Sequence, residues 1–191
     1  MSLLFARWPV AALLGLLASA CAFGAAPPPA VPTAAPTGAS QDFDFEHGAW
    51  QTTVRRRLRP LSGSDEWAEY TGTTLVRPLL GGRANVAELD VAGPKGRIQG
   101  VALRLFEPQQ RRWTLNFASV ASGTLTAPVA GGFGGSPRGV FYGDDDFDGR
   151  RVRVRFVIEP TGTDRWRFEQ AFSADGGATW EINWIAVDTR S

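Results

Sequence analysis

The chain has 191 residues, of which 43% are hydrophobic and 11% aromatic, and its formal net charge is +1. This length fits one domain with a leader, the apolar content excludes global disorder, and the near-neutral charge offers no field that would attract nucleic acid or an anionic membrane. Cys21 is the single cysteine, which excludes an intramolecular disulfide and a zinc site built on cysteines.

Residues 1–21 have the pattern of a secretory signal peptide. Arg7 precedes an apolar run that is too short to span a bilayer, and Ala18-Ser19-Ala20 matches the small-x-small pattern of signal peptidase sites. With Cys21, these residues also resemble a bacterial lipobox, whose cysteine becomes lipidated. Two alternatives remain: ordinary cleavage nearby, or a lipid anchor at Cys21. Both predict export across the inner membrane, either to the periplasm or to the outer membrane as an anchored lipoprotein.

Residues 22–40 are rich in proline, alanine, threonine and glycine and carry no charge. Such a segment cannot bury a hydrophobic core, so we predict a disordered, extended linker. At about 3.1 Å per residue, this linker would hold a domain tens of ångströms from a membrane anchor. The folded domain is then predicted to cover residues 41–191.

From Trp50 onward, apolar and polar residues alternate, and no helical period of 3.6 residues is present. Strands are predicted at residues 50–59, 66–77, 83–91, 97–106, 111–119, 123–128, 139–142, 150–159, 164–173 and 178–189. The glycine-rich stretch at residues 131–135 is predicted to be a flexible loop at the barrel mouth. About ten strands with short connections favour neighbours that pair in chain order, and closing such a sheet removes its exposed edges. We therefore predict an all-β, antiparallel up-and-down barrel.

The alternation predicts an aromatic barrel interior. Inner faces of the last three strands are assigned to Val152, Val154, Phe156 and Ile158, to Trp166, Phe168, Gln170 and Phe172, and to Trp180, Ile182 and Trp184. Candidates for ligand contact in the lumen are Arg56, Trp113, Phe117, Phe156, Trp166, Phe168, Gln170 and Trp184. Arg56 shares a face with Trp50 and Val54, so it is either a charge inside the lumen or is turned outward by a bulge.

A structural turn is predicted at residues 173–180. The residues Ser173, Asp175, Gly177, Thr179 and Trp180 fit the Asp-box pattern S-x-D-x-G-x-T-W that is familiar from sialidases. In that motif the serine and aspartate bond to the backbone and fix a hairpin, while the tryptophan packs beneath it. A single copy in a chain this short predicts a rigid hairpin and gives no support for glycoside hydrolysis.

Two further stretches resemble metal or catalytic sites. Asp144, Asp146 and Asp148 reproduce the opening of an EF-hand calcium loop, but Arg155 occupies the position of the bidentate glutamate. An acidic hairpin turn is therefore predicted, with weak calcium binding as the alternative. His47, the single histidine, follows Glu46 and is predicted to be a cap or packing residue, with a metal ligand, a haem ligand or a general base as alternatives. No catalytic residue, metal or cofactor is assigned.

Gly48-Ala49-Trp50 at the start of the first strand resembles the Gly-x-Trp signature of lipocalins and other calycins. In that group the tryptophan closes one end of the barrel, and an arginine from a late strand stacks on it. The resemblance implies that Gly48 and Trp50 close the barrel. It also implies that Arg155 or Arg167 makes the cation–π contact with Trp50.

A broader similarity is to bacterial secreted proteins of the domain of unknown function 1579 type. It rests on the Gly-x-Trp step, Leu80-Gly81-Gly82-Arg83-Ala84, the Leu105-Phe106-Glu107-Pro108 turn that leads to Trp113, and the closing Thr189-Arg190. The similarity spans about residues 42–190. It implies a calycin-like barrel and brings no established activity or catalytic residue.

Three functions are compatible with these features. The leading hypothesis is a secreted or lipid-anchored barrel that binds a small apolar or amphipathic ligand, because a barrel of eight to ten strands can enclose one such molecule. The second is a barrel enzyme, an isomerase, cyclase or hydrolase that uses polar residues of the lumen. The third is a structural or protein-interaction module with a filled barrel. No nucleic acid partner is expected, and contact with a membrane is expected only through Cys21.

Overall fold

The computed structural model describes residues 41–191, which form ten strands and two short 3-10 helices, Asp44–Glu46 and Leu80–Gly82. The strands are β1 Gly48–Arg57, β2 Trp67–Leu79, β3 Ala84–Gly93, β4 Gly96–Glu107, β5 Arg112–Ser119, β6 Val129–Gly132, β7 Gly139–Phe147, β8 Arg150–Gly162, β9 Arg165–Ser173 and β10 Glu181–Arg190. No helix in this range is long and apolar enough to cross a membrane. The predicted signal peptide, linker and lipidation site at Cys21 lie outside the described residues.

All strands are antiparallel to their neighbours in the chain, and the last strand returns to the first. In the β1–β10 pair, Trp50 lies opposite Arg190 and Arg56 lies opposite Trp184. This pairing closes the sheet, so that no strand has a free edge. The predicted all-β, antiparallel up-and-down barrel is confirmed.

The residues that precede β1 plug one end of the barrel. Phe43 is 1% exposed, and its ring packs edge-on against Trp113 at 4.8 Å and against Phe133 at 5.1 Å between ring centroids. The indole Nε1 of Trp113 donates a hydrogen bond to Asp42 Oδ2 at 3.3 Å. We call this plugged end the floor and the opposite end, where Arg56 of β1 lies, the mouth.

The Gly-x-Trp step holds the floor together. Trp50 is buried, and the guanidinium of Arg190 lies 4.1 Å from the centroid of its ring. Gly48 has a φ of 122°, and a Cβ at this position would lie 2.9 Å from Arg190 Nη1. Arg190 also donates a hydrogen bond from Nη1 to the carbonyl oxygen of His47 at 3.2 Å. The backbone conformation therefore requires glycine, and the arginine makes use of the space that the missing side chain leaves.

The stacking arginine is thus Arg190, and the assignment to Arg155 or Arg167 was wrong. Arg155 lies over the ring of Trp180 at 4.7 Å, on the outside of the barrel, and Arg167 pairs with Glu169. The reason is the length of β10. Arg190 is the last residue of that strand, so it reaches the floor directly opposite Trp50.

The glycine-rich stretch is part of the floor, not a loose loop at the mouth. β6 covers Val129–Gly132 instead of the predicted residues 123–128, and Phe133 after it is 5% exposed. A Cβ on Gly131 would lie 2.1 Å from the carbonyl oxygen of Val140 on β7. The prediction failed because glycine was interpreted as a loop signal, whereas Gly131 permits two backbones to approach each other.

Two other predicted boundaries are also corrected. β7 extends to Phe147, so only Asp148 and Gly149 form the turn into β8. β10 begins at Glu181 and contains an irregularity between Ile182 and Trp184, which breaks the strict alternation assumed for this strand. Trp180 consequently lies outside the strand and does not share an inner face with Trp184.

Candidate functional site

A cavity of about 440 Å³ occupies the barrel above the floor. Its wall is mostly apolar, and the rings of Phe156 and Phe168 pack edge-on at 5.0 Å within it. Smaller side chains leave room on the opposite side, where Ala87 of β3 and Ala102 of β4 are paired in register. The space exists because aromatic residues of β8 and β9 face alanine on β3 and β4.

Seven of the eight side chains predicted to contact a ligand line this cavity: Arg56, Phe117, Phe156, Trp166, Phe168, Gln170 and Trp184. The eighth, Trp113, has no exposed surface and does not line the cavity, because it is enclosed in the floor against Phe43 and Phe106. It is therefore withdrawn as a ligand contact. The binding role of the other seven stays a prediction.

Arg56 lies at the mouth. It belongs to the inner row of β1, but it is exposed there while lining the cavity. Asp144 and Asp145 of β7 also line the cavity, and Asp144 pairs on the outer side with Arg153 at 3.6 Å. Arg56 is thus neither buried in the lumen nor turned away from it. The mouth is lined by solvated charges, whereas the wall below is apolar.

Three buried charged residues lie at the floor end of the cavity: Glu46, Arg104 and Asp188, which we call the floor triad. Their exposed fractions are 0%, 4% and 1%. Arg104 Nη1 donates a hydrogen bond to Glu46 Oε2 at 2.6 Å. The Thr52 hydroxyl donates to Asp188 Oδ1 at 2.5 Å and lies 2.7 Å from the hydroxyl of Thr74. Each charged group is therefore buried away from solvent and makes a hydrogen bond to at least one polar neighbour.

Glu46 reaches the floor triad from the 3-10 helix before β1. Its carbonyl oxygen accepts a hydrogen bond from Trp50 Nε1 at 2.6 Å, which ties the helix to the barrel-closing tryptophan. The guanidinium of Arg104 also lies 4.5 Å from the centroid of the Phe43 ring. The plug and the floor triad thus form one unit.

Burial controls the ionisation of both carboxylates. It raises the pKa of Glu46 to about 7, with Asp188 adding to the rise and the charge and hydrogen bond of Arg104 opposing it. Burial also raises the pKa of Asp188 to about 6, against the hydrogen bonds from Thr52 and Thr74. Both groups therefore change charge close to neutral pH, which is unusual for carboxylates and typical of functional sites.

A pH dependence of stability follows. Between its ordinary pKa of 4.5 and about 7, Glu46 keeps its proton in the folded chain and loses it in the unfolded chain. The folded state then binds more protons, so the free energy of unfolding falls as the pH rises through this window. Urea denaturation at several pH values should show this fall, and the variant Glu46→Gln should reduce it to the part contributed by Asp188, whose raised pKa acts in the same direction. An equal slope in both proteins would contradict the burial of an ionisable Glu46.

The floor triad was missed by sequence reasoning. Arg104 lies in a strand with apolar residues on both faces, so alternation could not decide which way its side chain points. Asp188 follows Trp184 and Ala186 at intervals of two, and this signal could have placed it inside. The inner face of this strand was assigned only as far as Trp184, so Asp188 was not considered.

The predicted Asp-box residues form the hairpin between β9 and β10, at the mouth. Ser173 Oγ donates to Asp175 Oδ1 at 2.6 Å, and Asp175 accepts from the backbone and the hydroxyl of Thr179 at 2.9 and 2.6 Å. These hydrogen bonds hold the pKa of Asp175 well below its usual range. Trp180 Nε1 donates to the carbonyl oxygen of Gly177 at 3.0 Å. The motif is thus a rigid turn, as predicted.

Of the other candidate residues, Asp144 lines the cavity and the rest do not. His47 does not line it, and its Nδ1 lies 3.7 Å from Asp44 Oδ1 at the surface. Asp144 and Asp146 lie within β7 instead of in a calcium loop. Within residues 41–191 no group of three or more histidine, cysteine, aspartate or glutamate side chains is placed to hold a metal ion.

No family model matches the sequence, and no curated protein matches it. The barrel is similar to the S-type phycobiliprotein lyase CPES from Guillardia theta, with a TM-score of 0.55 and 10% identity over 78% of this chain and 90% of that chain. The structure of EF1p2_mFAP2b bound to DFHBI has a TM-score of 0.44 and 9% identity over 80% of this chain and 98% of that chain. A redesigned β-barrel has a TM-score of 0.43 and 8% identity over 81% of this chain and 98% of that chain. The first similarity shows a shared β-barrel fold, and the two scores below 0.5 add nothing to it.

Proposed function

We propose that the protein binds one small apolar or amphipathic molecule inside the barrel. The observation that carries this proposal is the cavity of about 440 Å³, which lies in the usual range of about 300–1,000 Å³ for small-molecule sites. Its wall is apolar and aromatic, with a few polar groups at the two ends. Burying a ligand's apolar surface there contributes roughly 25 cal/mol per Å² before the costs of association.

The cavity also bears on the two alternative functions, a structural module and an enzyme. A filled barrel acting only as a structural module is disfavoured, since side chains leave the interior partly empty. An enzyme that works by acid–base chemistry is the second candidate, because Asp188 lines the cavity and has a pKa of about 6. Once a ligand is known, mass analysis of that ligand after incubation with wild type and Asp188→Asn would show whether it is converted. An unchanged ligand would reject this candidate.

We also propose that the protein is exported and that it belongs to a known type of bacterial secreted protein. The small-x-small step before Cys21 supports a secreted or lipid-anchored protein, and the resemblance of the barrel-closing residues supports a place among proteins of the domain of unknown function 1579 type. The Guillardia theta protein is a lyase by name, but at 10% identity its likeness supports the barrel and no activity.

Filling the cavity should weaken ligand binding. Ala102→Trp places an indole inside the cavity, next to Ala87, so we expect the affinity for the neutral dye Nile red to fall at least about tenfold, or 1.4 kcal/mol. Val101→Trp is the matched control, because Val101 precedes Ala102 on β4 and its side chain is exposed on the outer face. Fluorescence titration measures the affinity of both variants for Nile red. Equal dye binding by the two variants, with both folded, would reject the lumen as the binding site.

A further inference from the structure

Besides Glu46 Oε1, whose residue does not line the cavity, three buried polar atoms at its floor end have no hydrogen-bond partner among the residues that the structure describes: Arg104 Nε, Trp166 Nε1 and Asp188 Oδ2. Their residues are 4%, 4% and 1% exposed, and all three line the cavity. Buried polar atoms are nearly always hydrogen-bonded, because leaving one without a partner is unfavourable. These three therefore mark a place where a polar group of a ligand would be stabilised.

The side chains that carry these atoms are held by other contacts. Arg104 Nη1 is bonded to Glu46, and Asp188 Oδ1 is bonded to a threonine hydroxyl. Trp166 packs edge-on against Trp50, with ring centroids 6.1 Å apart, and lies opposite Asp188 in the β9–β10 register. The three atoms thus lie at one end of the cavity, on side chains that are positioned by these other contacts.

The surrounding charges favour a neutral ligand group. The floor triad has one cation, Arg104, and two carboxylates, Glu46 and Asp188, so it already carries a negative excess when both are ionised. A ligand anion would add a further negative charge beside Asp188. A ligand ammonium group has no acceptor, so it would leave the N–H groups of Arg104 and Trp166 without a partner. A neutral group with an acceptor next to a donor satisfies all three atoms.

We propose that the floor end of the cavity is a subsite for a neutral amide-type head group. Its carbonyl oxygen accepts from Arg104 Nε and Trp166 Nε1, and its N–H donates to Asp188 Oδ2. The apolar body of the same molecule lies along the aromatic wall towards the mouth. This inference rests on the proposed function, and it narrows the ligand class to amphipathic molecules with a neutral donor–acceptor head.

Four probes with one chain length and different heads test the proposal: decanamide, methyl decanoate, decanoate and decylammonium. Each competes with Nile red for the full chain at a pH of about 8, above the pKa values of Glu46 and Asp188. We expect decanamide to bind about tenfold tighter than methyl decanoate, which lacks the donor, because one hydrogen bond of ordinary strength gives about that factor. The two charged probes should bind more weakly than decanamide.

A matched pair of variants locates the head group. Trp166→Phe removes the N–H at the floor, and we expect it to weaken decanamide binding several-fold more than it weakens the binding of methyl decanoate or Nile red. Trp184→Phe is the control, because Trp184 lines the same cavity near the mouth, and it should leave the preference for decanamide over methyl decanoate unchanged. Thermal unfolding of both variants checks that each is folded.

The outcomes separate this proposal from the proposed function. Binding of Nile red together with equal affinity for all four probes would overturn the head-group subsite and leave the ligand-binding barrel intact. Tightest binding of decanoate or of decylammonium would overturn the choice of a neutral head. Failure of Nile red and all four probes to bind would overturn both proposals.

Discussion

Replacing Arg104 with methionine is expected to lower the free energy of unfolding by about 3–5 kcal/mol at a pH of about 8, the usual cost of removing one partner from a buried ion pair. Methionine keeps much of the side-chain length but leaves Glu46, which has no exposed surface, without its partner at 2.6 Å. The loss should be smaller at a pH of about 5, because Glu46 is then already protonated in the folded wild type. Urea denaturation at the two pH values measures both losses.

The control for this variant is Arg112→Met. Arg112 pairs with Glu107 at 2.8 Å, but both side chains are more than a third exposed, so its removal should cost less than about 1 kcal/mol. The double variant Glu46→Gln with Arg104→Met should recover part of the loss, since it removes the unpaired carboxylate. If Arg104→Met costs no more than Arg112→Met, the floor triad does not hold the plug in place.

The second large effect that we expect is a loss of stability when the barrel-closing tryptophan is truncated. Trp50→Ala should lower the free energy of unfolding by about 3–5 kcal/mol, the range for buried aromatic residues in cores. Trp50 is 1% exposed, packs against Trp166, and donates a hydrogen bond to the backbone of Glu46. Its loss would leave a gap below the cavity and release the plug.

Two comparisons make the Trp50 result specific. Trp67→Ala removes a tryptophan on the outer face that is covered by Arg55 and Arg57 at 5.2 and 4.8 Å, and it should cost far less than Trp50→Ala. Arg190→Ala removes the cation over Trp50 and should cost about 0.5–1 kcal/mol, since the arginine is partly exposed. Equal destabilisation by Trp50→Ala and Trp67→Ala would contradict the role of Trp50 in closing the barrel.

Much of this fold is predictable from local patterns. Alternation of apolar and polar residues predicts every strand except β6, and the short turns indicate that neighbours in the chain pair, so the barrel follows. The apolar faces of β8 and β9 were assigned correctly, because arginine on one face and aromatic residues on the other leave a single choice of register. Gly48 and Trp50 were identified through the resemblance of Gly48-Ala49-Trp50 to the Gly-x-Trp signature.

The parts that sequence did not reveal depend on contacts between residues far apart in the chain. Arg190 stacks on Trp50 only because β10 closes onto β1 in one register, and many arginines in the sequence were equally available. Arg104 and Glu46 are 58 positions apart, and neither lies in a recognisable motif. The irregularity near Ile182 cannot be inferred from alternation, since it interrupts the alternation itself.

The most direct test of the binding barrel is native mass spectrometry of the folded chain after incubation with an organic extract of cells of its own host. We expect one added ligand per chain, released when the chain is unfolded and absent from Ala102→Trp but present in Val101→Trp. A wild-type chain that carries no added mass, or the same added mass in both variants, would contradict the claim that the cavity above Trp50 holds a ligand.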